Sequence, residues 1–295
     1  MTTFGPSRRG LRVLMLIENC PYSVDGRVRR ESQALQGAGH QVTVICPRAD
    51  HEPFCHDADG VRVCQYRPLL VASGAMAFLL EYAYALWSTW WLSWWVRLRY
   101  GIDVIHAHNP PDLFVLIAVC HRLVGTRFVF DHHDLAPEMF QARFGDRGSN
   151  FLLRLLVFFE RCSYRFADQV IVTNESYRQL GLARSGINPA RITVVRNGPE
   201  PRHFANVLPH ESLRGCNATI LGFVGEMGPL DGIDLLIDSL TYLAHDLGRQ
   251  DWRCVLLGSG EVMDTMRTRA AQRGLAPLVQ FVGRVANNEV VPYIA

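Results

Sequence analysis

Apolar runs of strand length alternate with helix-length segments along the whole of this 295-residue chain. This alternation is typical of a parallel β-sheet covered by helices on both faces. It pauses between Pro199 and Asn217 and restarts at Ala218, which predicts two Rossmann-like, doubly wound α/β domains at residues 1–205 and 206–295. The restarted part holds few predicted strands before the sequence stops, so we expect the second domain to be incomplete.

The bounds of the predicted elements follow from the apolar periodicity and from the turn residues between the runs. The predicted strands are Arg12–Ile17, Gln41–Cys46, Val61–Gln65, Asp103–His106, Arg127–Phe130, Gln169–Val172, Ile192–Val195, Ala218–Val224, Trp252–Leu257 and Leu278–Val282. The predicted helices of the first domain are Val28–Ala38, Ala75–Arg99, Asp112–Leu123, Asn150–Phe166 and Glu175–Arg184.

The composition excludes several classes of protein. The formal net charge is only +2, so no global excess of basic residues supports binding to nucleic acid. Every basic side chain other than histidine is an arginine. The absence of lysine excludes a pyridoxal-phosphate enzyme with a Schiff-base lysine, and it excludes a phosphate-binding loop of the GxxxxGK[ST] type.

The eight cysteines contain no CxxC pair and fall mostly in apolar runs. This pattern predicts reduced, buried thiols in a cytoplasmic protein. One polar segment groups His51, Cys55, His56 and Cys64, but their spacing fits no zinc pattern, and we expect no metal site. The apolar run Val13–Ile17 is too short for a secretory signal and is predicted to be the first strand.

Ligands of open parallel sheets bind outside the carboxyl ends of the strands, so residues just after each strand are the candidates for a site. After the first strand, Asp25 and Gly26 predict a turn into a helix whose free N–H groups would favour an anion, unless the turn is an ordinary one. After two neighbouring strands, the segments His106–Asp112 and Asp131–Glu138 are dense in histidine and carboxylate. Such pairs predict a place that positions hydroxyl groups or transfers protons near neutral pH.

Three glycine-rich turns follow the predicted strands of the second domain, within Gly222–Ile233, Leu256–Glu261 and Phe281–Val285. Glycine lets backbone amides approach a phosphate closely, although the turn after the first of these strands lacks the GxGxxG spacing of dinucleotide binders. Three such turns on one face predict a ligand of nucleotide size.

Six segments occur in a recognisable order: DGRVRRE at 25–31, HAHNPPD at 106–112, DHHDLAPE at 131–138, the segment 159–176, VVRNGPE at 194–200 and GFVGEMGPLDG at 222–232. Together they resemble glycosyltransferase family 4, the retaining GT-B enzymes of bacterial polysaccharide and glycolipid synthesis. The resemblance covers almost the whole chain. It implies an acceptor-binding N-terminal domain, a sugar-nucleotide-binding C-terminal domain, and a cleft between them that closes during reaction.

The resemblance also implies site residues. It places His133 beside the transferred sugar, and we expect Asp134 to be the second catalytic residue. The loop around Gly26 would contact the diphosphate from the first domain, and Gly225–Gly232 would face the phosphates from the second. The residues expected to bind the nucleotide sugar are Gly26, Arg27, His108, Asn197, Gly225, Glu226, Gly228, Gly258, Gly260, Glu261, Arg284 and Val285.

Two departures from the family pattern concern the second domain. The family usually places an arginine and a lysine in its GxVGRxxxxKG stretch, whereas this chain has Glu226 and Asp231 there. The family's Glu-x7-Glu segment, which holds the donor sugar and ribose, would lie beyond Ala295. We therefore expect weak nucleotide binding by residues 1–295 alone, restored by a complete second domain. Glu226 would either receive a sugar or ribose hydroxyl or be a solvated turn residue.

Five of the six tryptophans fall between Trp87 and Trp95 at helical spacing, so they form one stripe, with Ser88, Thr89 and Ser93 on the opposite side. Tryptophan favours the membrane–water interface and arginine favours anionic lipid, which predicts a helix lying in a membrane surface. Periodic aromatic residues also fill protein cores, so both interpretations remain open. A glutamate inside the only window of about 20 residues argues against a transmembrane span.

The sequence therefore predicts transfer of a sugar from a nucleotide-diphosphate sugar to a glycan or lipid-linked acceptor, with retention of the anomeric configuration. The donor is a substrate, and no cofactor is expected. We expect the protein in the cytoplasm. If the helix that contains Trp87 and Trp95 binds lipid, we expect the protein at the inner face of the cell membrane. Two alternatives remain: a sugar-nucleotide epimerase of the same architecture, and a truncated, non-catalytic, membrane-associated module that binds sugar nucleotides.

Overall fold

The computed structural model describes residues 10–49, 52–69, 75–145, 148–198, 207–213 and 218–294. The chain divides into two compact units, Met1–Asn197 and Gly198–Ala295. The domain boundary predicted between residues 205 and 206 lies in a segment outside the described residues.

The first unit is an eight-stranded sheet with six helices among its described residues. Its strands are β1 (Arg12–Leu16), β2 (Gln41–Pro47), β3 (Cys55–Ala58), β4 (Val61–Tyr66), β5 (Val104–His108), β6 (Arg127–His132), β7 (Gln169–Val172) and β8 (Ile192–Val194). Its helices are α1 (Gly26–Gly37), α2 (Ala75–Tyr100), α3 (Phe114–Arg122), α4 (Ala136–Phe144), α5 (Asn150–Phe166) and α6 (Glu175–Ser185). The strand order is β3-β4-β2-β1-β5-β6-β7-β8, and only β3 pairs antiparallel.

Both faces of this sheet carry a hydrophobic core. Successive side chains of a strand point to opposite faces, and β1 shows the consequence. Leu14 and Leu16 join the core that includes residues of α2, α3 and β6. Val13 and Met15 join a second core that includes Val28 of α1. Burial on both faces explains why these strands are continuous apolar runs, and the predicted doubly wound α/β fold is confirmed.

The structure contains two elements that the apolar periodicity did not predict. Strand β3 has no alternation of apolar and polar residues, and it forms a hairpin with β4 through Asp59 and Gly60, whose φ angles are 55° and 82°. Two consecutive residues with positive φ are typical of the tightest hairpin turns. Helix α4 begins inside the segment Asp131–Glu138, with Pro137 in its first turn.

The hairpin places Cys55 opposite Cys64, with Cα atoms 4.2 Å apart, and the structure joins the two in a disulfide. The expectation of reduced thiols is therefore wrong for this pair, because the register of the β3–β4 ladder cannot be read from cysteine spacing. The other cysteines in the described part of the chain are free. His51, the first residue of the segment weighed as a zinc site, lies outside the described residues.

Helix α2 exposes a stripe of large apolar side chains, which we call the tryptophan surface: Trp87, Trp91, Trp95 and Leu98. The exposed fractions of these side chains range from 39% for Trp95 to 86% for Leu98. None of the helices within the described ranges is long and apolar enough to span a bilayer.

The small polar residues of α2 face inward. Thr89 and Ser93 are buried, and Ser93 Oγ lies 2.9 Å from Nε2 of His121 on α3. Trp94 stacks on the same imidazole with ring centroids 4.3 Å apart, and Trp90 packs against the core. The tryptophans therefore divide between the core and the surface of the unit. The side of α2 predicted to be polar packs against neighbouring elements of the first unit.

The second unit has a three-stranded parallel sheet in its described residues, in the order β11-β10-β9. Its elements are β9 (Thr219–Val224), α7 (Ile233–His245), β10 (Trp252–Leu257), α8 (Met263–Gln272), β11 (Val279–Gly283) and α9 (Asn287–Ile294). Ile237 and Leu240 of α7 pack with Leu256 of β10 in a separate core. The restart of strands and helices predicted from the sequence is therefore present.

Candidate active site

Helix α1 begins near the carboxyl end of β1, at the sheet edge expected to bind ligands. Gly26 is exposed at the first position of the helix. Asp25 caps it: Oδ1 accepts hydrogen bonds from the backbone N–H groups of Arg27 and Val28, both at 2.9 Å. The expectation of free N–H groups is therefore wrong for Arg27 and Val28.

Arg27 is buried and ties together three parts of the first unit. Its Nη2 donates to the two carboxylate oxygens of Asp131 at 3.0 and 2.8 Å, and Nε donates at 3.1 Å. Its Nη1 donates to Asn197 Oδ1 at 2.7 Å and to the backbone oxygen of Val195 at 3.3 Å. This arginine fork joins α1 to the end of β6 and to the segment after β8. Arg27 and Asn197, both predicted to bind the donor, are in direct contact.

His133 lies beside the same carboxylate, with Nδ1 3.2 Å from Asp131 Oδ1. Burial alone would raise the pKa of Asp131, but the imidazoles of His106 and His133 outweigh burial and hold that pKa well below its usual range. Asp131 is therefore a carboxylate at neutral pH. A carboxylate at Nδ1 fixes the ring N–H on that nitrogen and directs Nε2 away from Asp131, where it is suited to accept a hydroxyl proton.

Asn109, which follows β5, holds the backbone around His133 in place. Its Oδ1 accepts hydrogen bonds from the N–H groups of His133 at 2.8 Å and Asp134 at 3.1 Å. Its Nδ2 donates to the backbone oxygen of Asp134 at 2.6 Å. Asp134 is tied to Asn109 through its backbone, and the carboxylate that contacts His133 belongs to Asp131. A catalytic role of the Asp134 side chain stays a prediction.

Next to His133, four buried or nearly buried side chains form what we call the histidine–carboxylate cluster: Glu31, His106, His108 and Asp131. His106 Nε2 lies 3.7 Å from Glu31 Oε2 and 3.6 Å from Asp131 Oδ2. His108 lies between the same carboxylates, with Nε2 3.8 Å from Glu31 and Nδ1 3.6 Å from Asp131. Within the described part of the chain, both Glu31 oxygens and both His108 ring nitrogens form no hydrogen bond.

Burial governs ionisation in this cluster. It raises the pKa of Glu31 to about 8, with the carboxylate of Asp131 adding to the rise and Arg27 opposing it. Burial also lowers the pKa of His108 well below its usual value, and the neighbouring His106 lowers it further. Glu31 is therefore mostly protonated, and His108 is neutral, at neutral pH.

Four potential ligand atoms of the cluster lie within 4.8 Å of one another, so geometry alone would admit a metal ion. The charges of Arg27, Glu31 and Asp131 favour a bound proton over a metal ion. The Arg27 guanidinium is already 3.0 Å from Glu31 Oε1 and 2.8 Å from Asp131 Oδ2. A divalent ion added to one arginine and two carboxylates leaves a buried excess of positive charge. One proton on Glu31 leaves the group neutral, which costs less desolvation free energy.

A second buried network fixes the loop that carries His133. His132 Nδ1 lies 2.8 Å from the hydroxyl of Tyr164 on α5. Glu160 on the same helix accepts a hydrogen bond from Arg184 Nη1 at 2.8 Å, and Arg184 also pairs with Glu138. Burial lowers the pKa of His132 to about 3, so its imidazole is neutral. These contacts connect the end of β6 to α4, α5 and α6.

Close packing between loops accounts for two glycines of the second unit. A Cβ atom at Gly258 would overlap the backbone oxygen of Gly225, and one at Gly260 would overlap that of Met227. The loop after β10 therefore passes directly against the loop after β9, and this packing requires glycine. Contact of these glycines with a nucleotide stays a prediction.

Asp231 closes the turn after β9, because its Oδ2 accepts a hydrogen bond from the N–H of Gly228 at 2.7 Å. The carboxylate that stands where the family has a lysine thus has a structural contact. Glu226, Glu261 and Arg284 are exposed near the carboxyl ends of the three strands. The half-buried Val285 follows directly on Arg284.

Replacing Gly258 with alanine should destabilise the second unit by about 2 kcal/mol or more, because the new Cβ meets backbone and the φ angle of 132° is unfavourable for alanine. Gly222→Ala is the matched control, since no atom lies within 4 Å of its added Cβ. Denaturant unfolding of both variants measures the difference. Equal stability of G258A and G222A would show that the loops separate without cost.

Solved structures of similar architecture define the fold class of this chain. Sucrose-phosphate synthase from Thermosynechococcus elongatus matches with a TM-score of 0.72 and 16% sequence identity, over 96% of this chain and 73% of that chain. Anabaena HepE in complex with UDP matches with a TM-score of 0.60 and 18% identity, over 95% of this chain and 71% of that chain. The architecture is that of the GT-B class, as predicted from the sequence.

Each of the two units matches a glycosyltransferase family model. Residues 24–198 match the glycosyl transferase 4-like domain, and residues 218–295 match glycosyl transferases group 1. The chain therefore belongs to the glycosyl transferase 4-like family, which confirms the predicted resemblance. The gpi3 subunit of phosphatidylinositol N-acetylglucosaminyltransferase from Schizosaccharomyces pombe is 23% identical over 272 residues, which are 92% of this chain and 55% of that relative. The chain thus spans about half the length of this curated relative.

Proposed function

We propose that this protein transfers a sugar from a nucleotide-diphosphate sugar to a hydroxyl group of a glycan or lipid-linked acceptor, with retention of the anomeric configuration. The observation that carries the proposal is the contact of His133 with Asp131, 3.2 Å apart, at the carboxyl edge of the larger sheet in a chain of this family. An imidazole held by a carboxylate on one nitrogen can orient or deprotonate a hydroxyl with the other.

The proposed reaction needs positioning of the substrates and stabilisation of the leaving diphosphate more than it needs a reactive side chain. His133 orients a hydroxyl of the transferred sugar. Arg27 and Asn197 contribute charge and polarity next to it from the first unit. Residues after β9, β10 and β11 of the second unit hold the nucleotide. The donor diphosphate is a substrate, and the proposal includes no metal or prosthetic group.

A lipid-linked acceptor is the more specific form of the proposal. The name of the fission yeast relative states a phosphatidylinositol substrate, and HepE was solved in complex with UDP, the nucleotide part of a sugar nucleotide, which supports a lipid acceptor and a nucleotide-sugar donor here. The tryptophan surface of α2 supports contact with lipid, because exposed tryptophans are favoured at the membrane–water interface. Arg99, exposed in the last turn of α2, adds a positive charge that would favour anionic headgroups. The proposed location is the cytoplasmic face of the cell membrane.

Replacing Trp87, Trp91 and Trp95 with serine should reduce binding to vesicles of anionic phospholipid at least about tenfold, because three exposed interfacial anchors are lost. Co-sedimentation with vesicles measures the effect. The matched control replaces Leu235 and Tyr242 with serine, because both are exposed apolar residues on α7 of the second unit. Equal vesicle binding by wild type, triple variant and control would rule out the tryptophan surface as the membrane contact.

A panel of labelled sugar nucleotides, offered to the full-length protein with and without membrane lipid, separates this proposal from its alternatives. Label recovered in a lipid or glycan product supports the transferase. A changed sugar still attached to the nucleotide, formed without acceptor, would identify an epimerase. Bound nucleotide with neither product would identify a non-catalytic module.

A further inference from the structure

The histidine–carboxylate cluster contains more negative charge than Arg27 neutralises. Glu31 and Asp131 are two carboxyl groups facing one guanidinium, with Arg27 Nη2 3.0 Å from Glu31 Oε1 and 2.8 Å from Asp131 Oδ2. If both carboxyl groups were ionised, one uncompensated negative charge would lie in a site where Asp131 is fully buried and Glu31 nearly so. Such a charge is costly, and the site must take up a positive charge to remove it.

We propose that Glu31 is a positioning residue that keeps one proton in this cluster and thereby holds Asp131 as the carboxylate that orients His133. The inference rests on the proposed function for its catalytic consequence, but the proton itself does not depend on that function. The charge geometry supports it, because one proton on Glu31 leaves one guanidinium facing one carboxylate, with Arg27 Nη2 2.8 Å from Asp131 Oδ2.

The groups around Glu31 act in opposite directions. From its own helix, Arg27 favours the ionised form of Glu31, whereas Asp25 disfavours it. From β6, the carboxylate of Asp131 disfavours it, and from β5 the imidazoles of His106 and His108 lie within 3.8 Å of Oε2. Burial is the largest influence and raises the pKa of Glu31 to about 8. The proton therefore stays on Glu31 through the neutral range.

Ionisation of Glu31 would disturb His133 indirectly. The new charge would compete with Asp131 for the Arg27 guanidinium, and Arg27 is the group that donates to both oxygens of Asp131. Asp131 in turn sets the ring orientation of His133. We therefore expect the alkaline limb of the transfer activity to follow Glu31.

Glu31→Gln keeps the shape of the side chain and removes its titration. A folded-state pKa above the usual value means that the proton on Glu31 stabilises the fold fully below about pH 4.5 and that this stability is lost as the pH rises through about 8. The melting temperature of E31Q relative to wild type should therefore increase with pH and level off above about pH 8, by about 2–4 °C or more over this range. Glu175→Gln, on an exposed glutamate of α6, should show no such trend.

Two further measurements make the result specific. The carboxyl carbon signal of Glu31, identified by its loss in E31Q, should titrate near pH 8 in the NMR spectrum of the wild type. The alkaline limb of sugar transfer should move to higher pH in E31Q. A Glu31 signal that titrates near pH 4, a melting-temperature difference that does not change with pH, or stoichiometric zinc retained by wild type and lost in E31Q would each overturn the proposal. If no transfer occurs at all, the melting temperatures and the NMR titration of Glu31 still decide whether Glu31 keeps the proton.

Discussion

Replacing Arg27 with methionine is expected to destabilise the first unit by about 3–5 kcal/mol, the usual cost of removing one partner of a buried ion pair. The guanidinium is only 6% exposed and donates to both oxygens of Asp131, to Asn197 and to the backbone of Val195. Methionine fills most of the volume but leaves Asp131 buried without its partner. Denaturant unfolding of wild type and variant measures the loss.

The deficit of R27M should shrink at acidic pH. The buried carboxylate of Asp131, left without its guanidinium partner, takes up a proton as the pH falls, and a neutral carboxyl group no longer needs a cation beside it. Arg30→Met is the matched control, because Arg30 is an exposed residue of the same helix. If R27M and R30M were equally stable, the buried ion pair would have no structural importance.

Replacing His133 with alanine is expected to lower the turnover number of the full-length protein by about a hundredfold or more, the usual scale for a positioned acid–base or orienting group. The ring is nearly buried, but the backbone of His133 is held by Asn109, so alanine should leave the loop in place. Most of the effect should therefore appear in kcat and little in the melting temperature.

His245→Ala is a suitable control for H133A, because His245 lies on α7 of the second unit. Steady-state kinetics of sugar transfer and thermal melts of both variants give the comparison. Unchanged kcat in H133A would mean that His133 is structural and that another group orients the sugar.

The long elements of the fold could be predicted because their apolar periodicity is strong. The bounds of β7, β10 and α5 agree with the prediction at both ends, and the remaining predicted elements differ by a few residues. Strand β3 could not be predicted, because its residues show no alternation and it forms only by pairing with β4 across Asp59 and Gly60. Pairing is a tertiary effect that a local pattern does not contain.

The polarity of α2 shows a second limit of sequence patterns. Periodicity places the tryptophans on one stripe, but it cannot say which side of a helix meets the core. The close approach of α2 to its neighbours buries small residues such as Ser93 and leaves Trp87 and Trp91 exposed. Small side chains permit close packing, and this advantage outweighs the usual preference for burying aromatic rings.

The sequence indicates which segments form the candidate site, but it does not predict which of their side chains are in contact. The carboxyl-edge rule directs attention to the segments that contain His108 and His133, and the structure brings these two rings together, with centroids 6.0 Å apart. It does not reveal that Asp131 contacts His133, because both Asp131 and Asp134 are close to it along the chain. One signal was available: Arg27 and Glu31 are spaced four apart on α1, which predicts a pair on one helix face.

The anomeric configuration of the product tests the proposed retaining transfer of a sugar most directly. The full-length protein would be incubated with a nucleotide sugar of known configuration and with membrane lipid or glycan acceptor. The anomeric proton of the new glycosidic bond would then be recorded by NMR. We predict the same configuration at the anomeric carbon as in the donor. A product of inverted configuration, or no glycosidic product with any sugar nucleotide, would contradict retaining transfer by this protein.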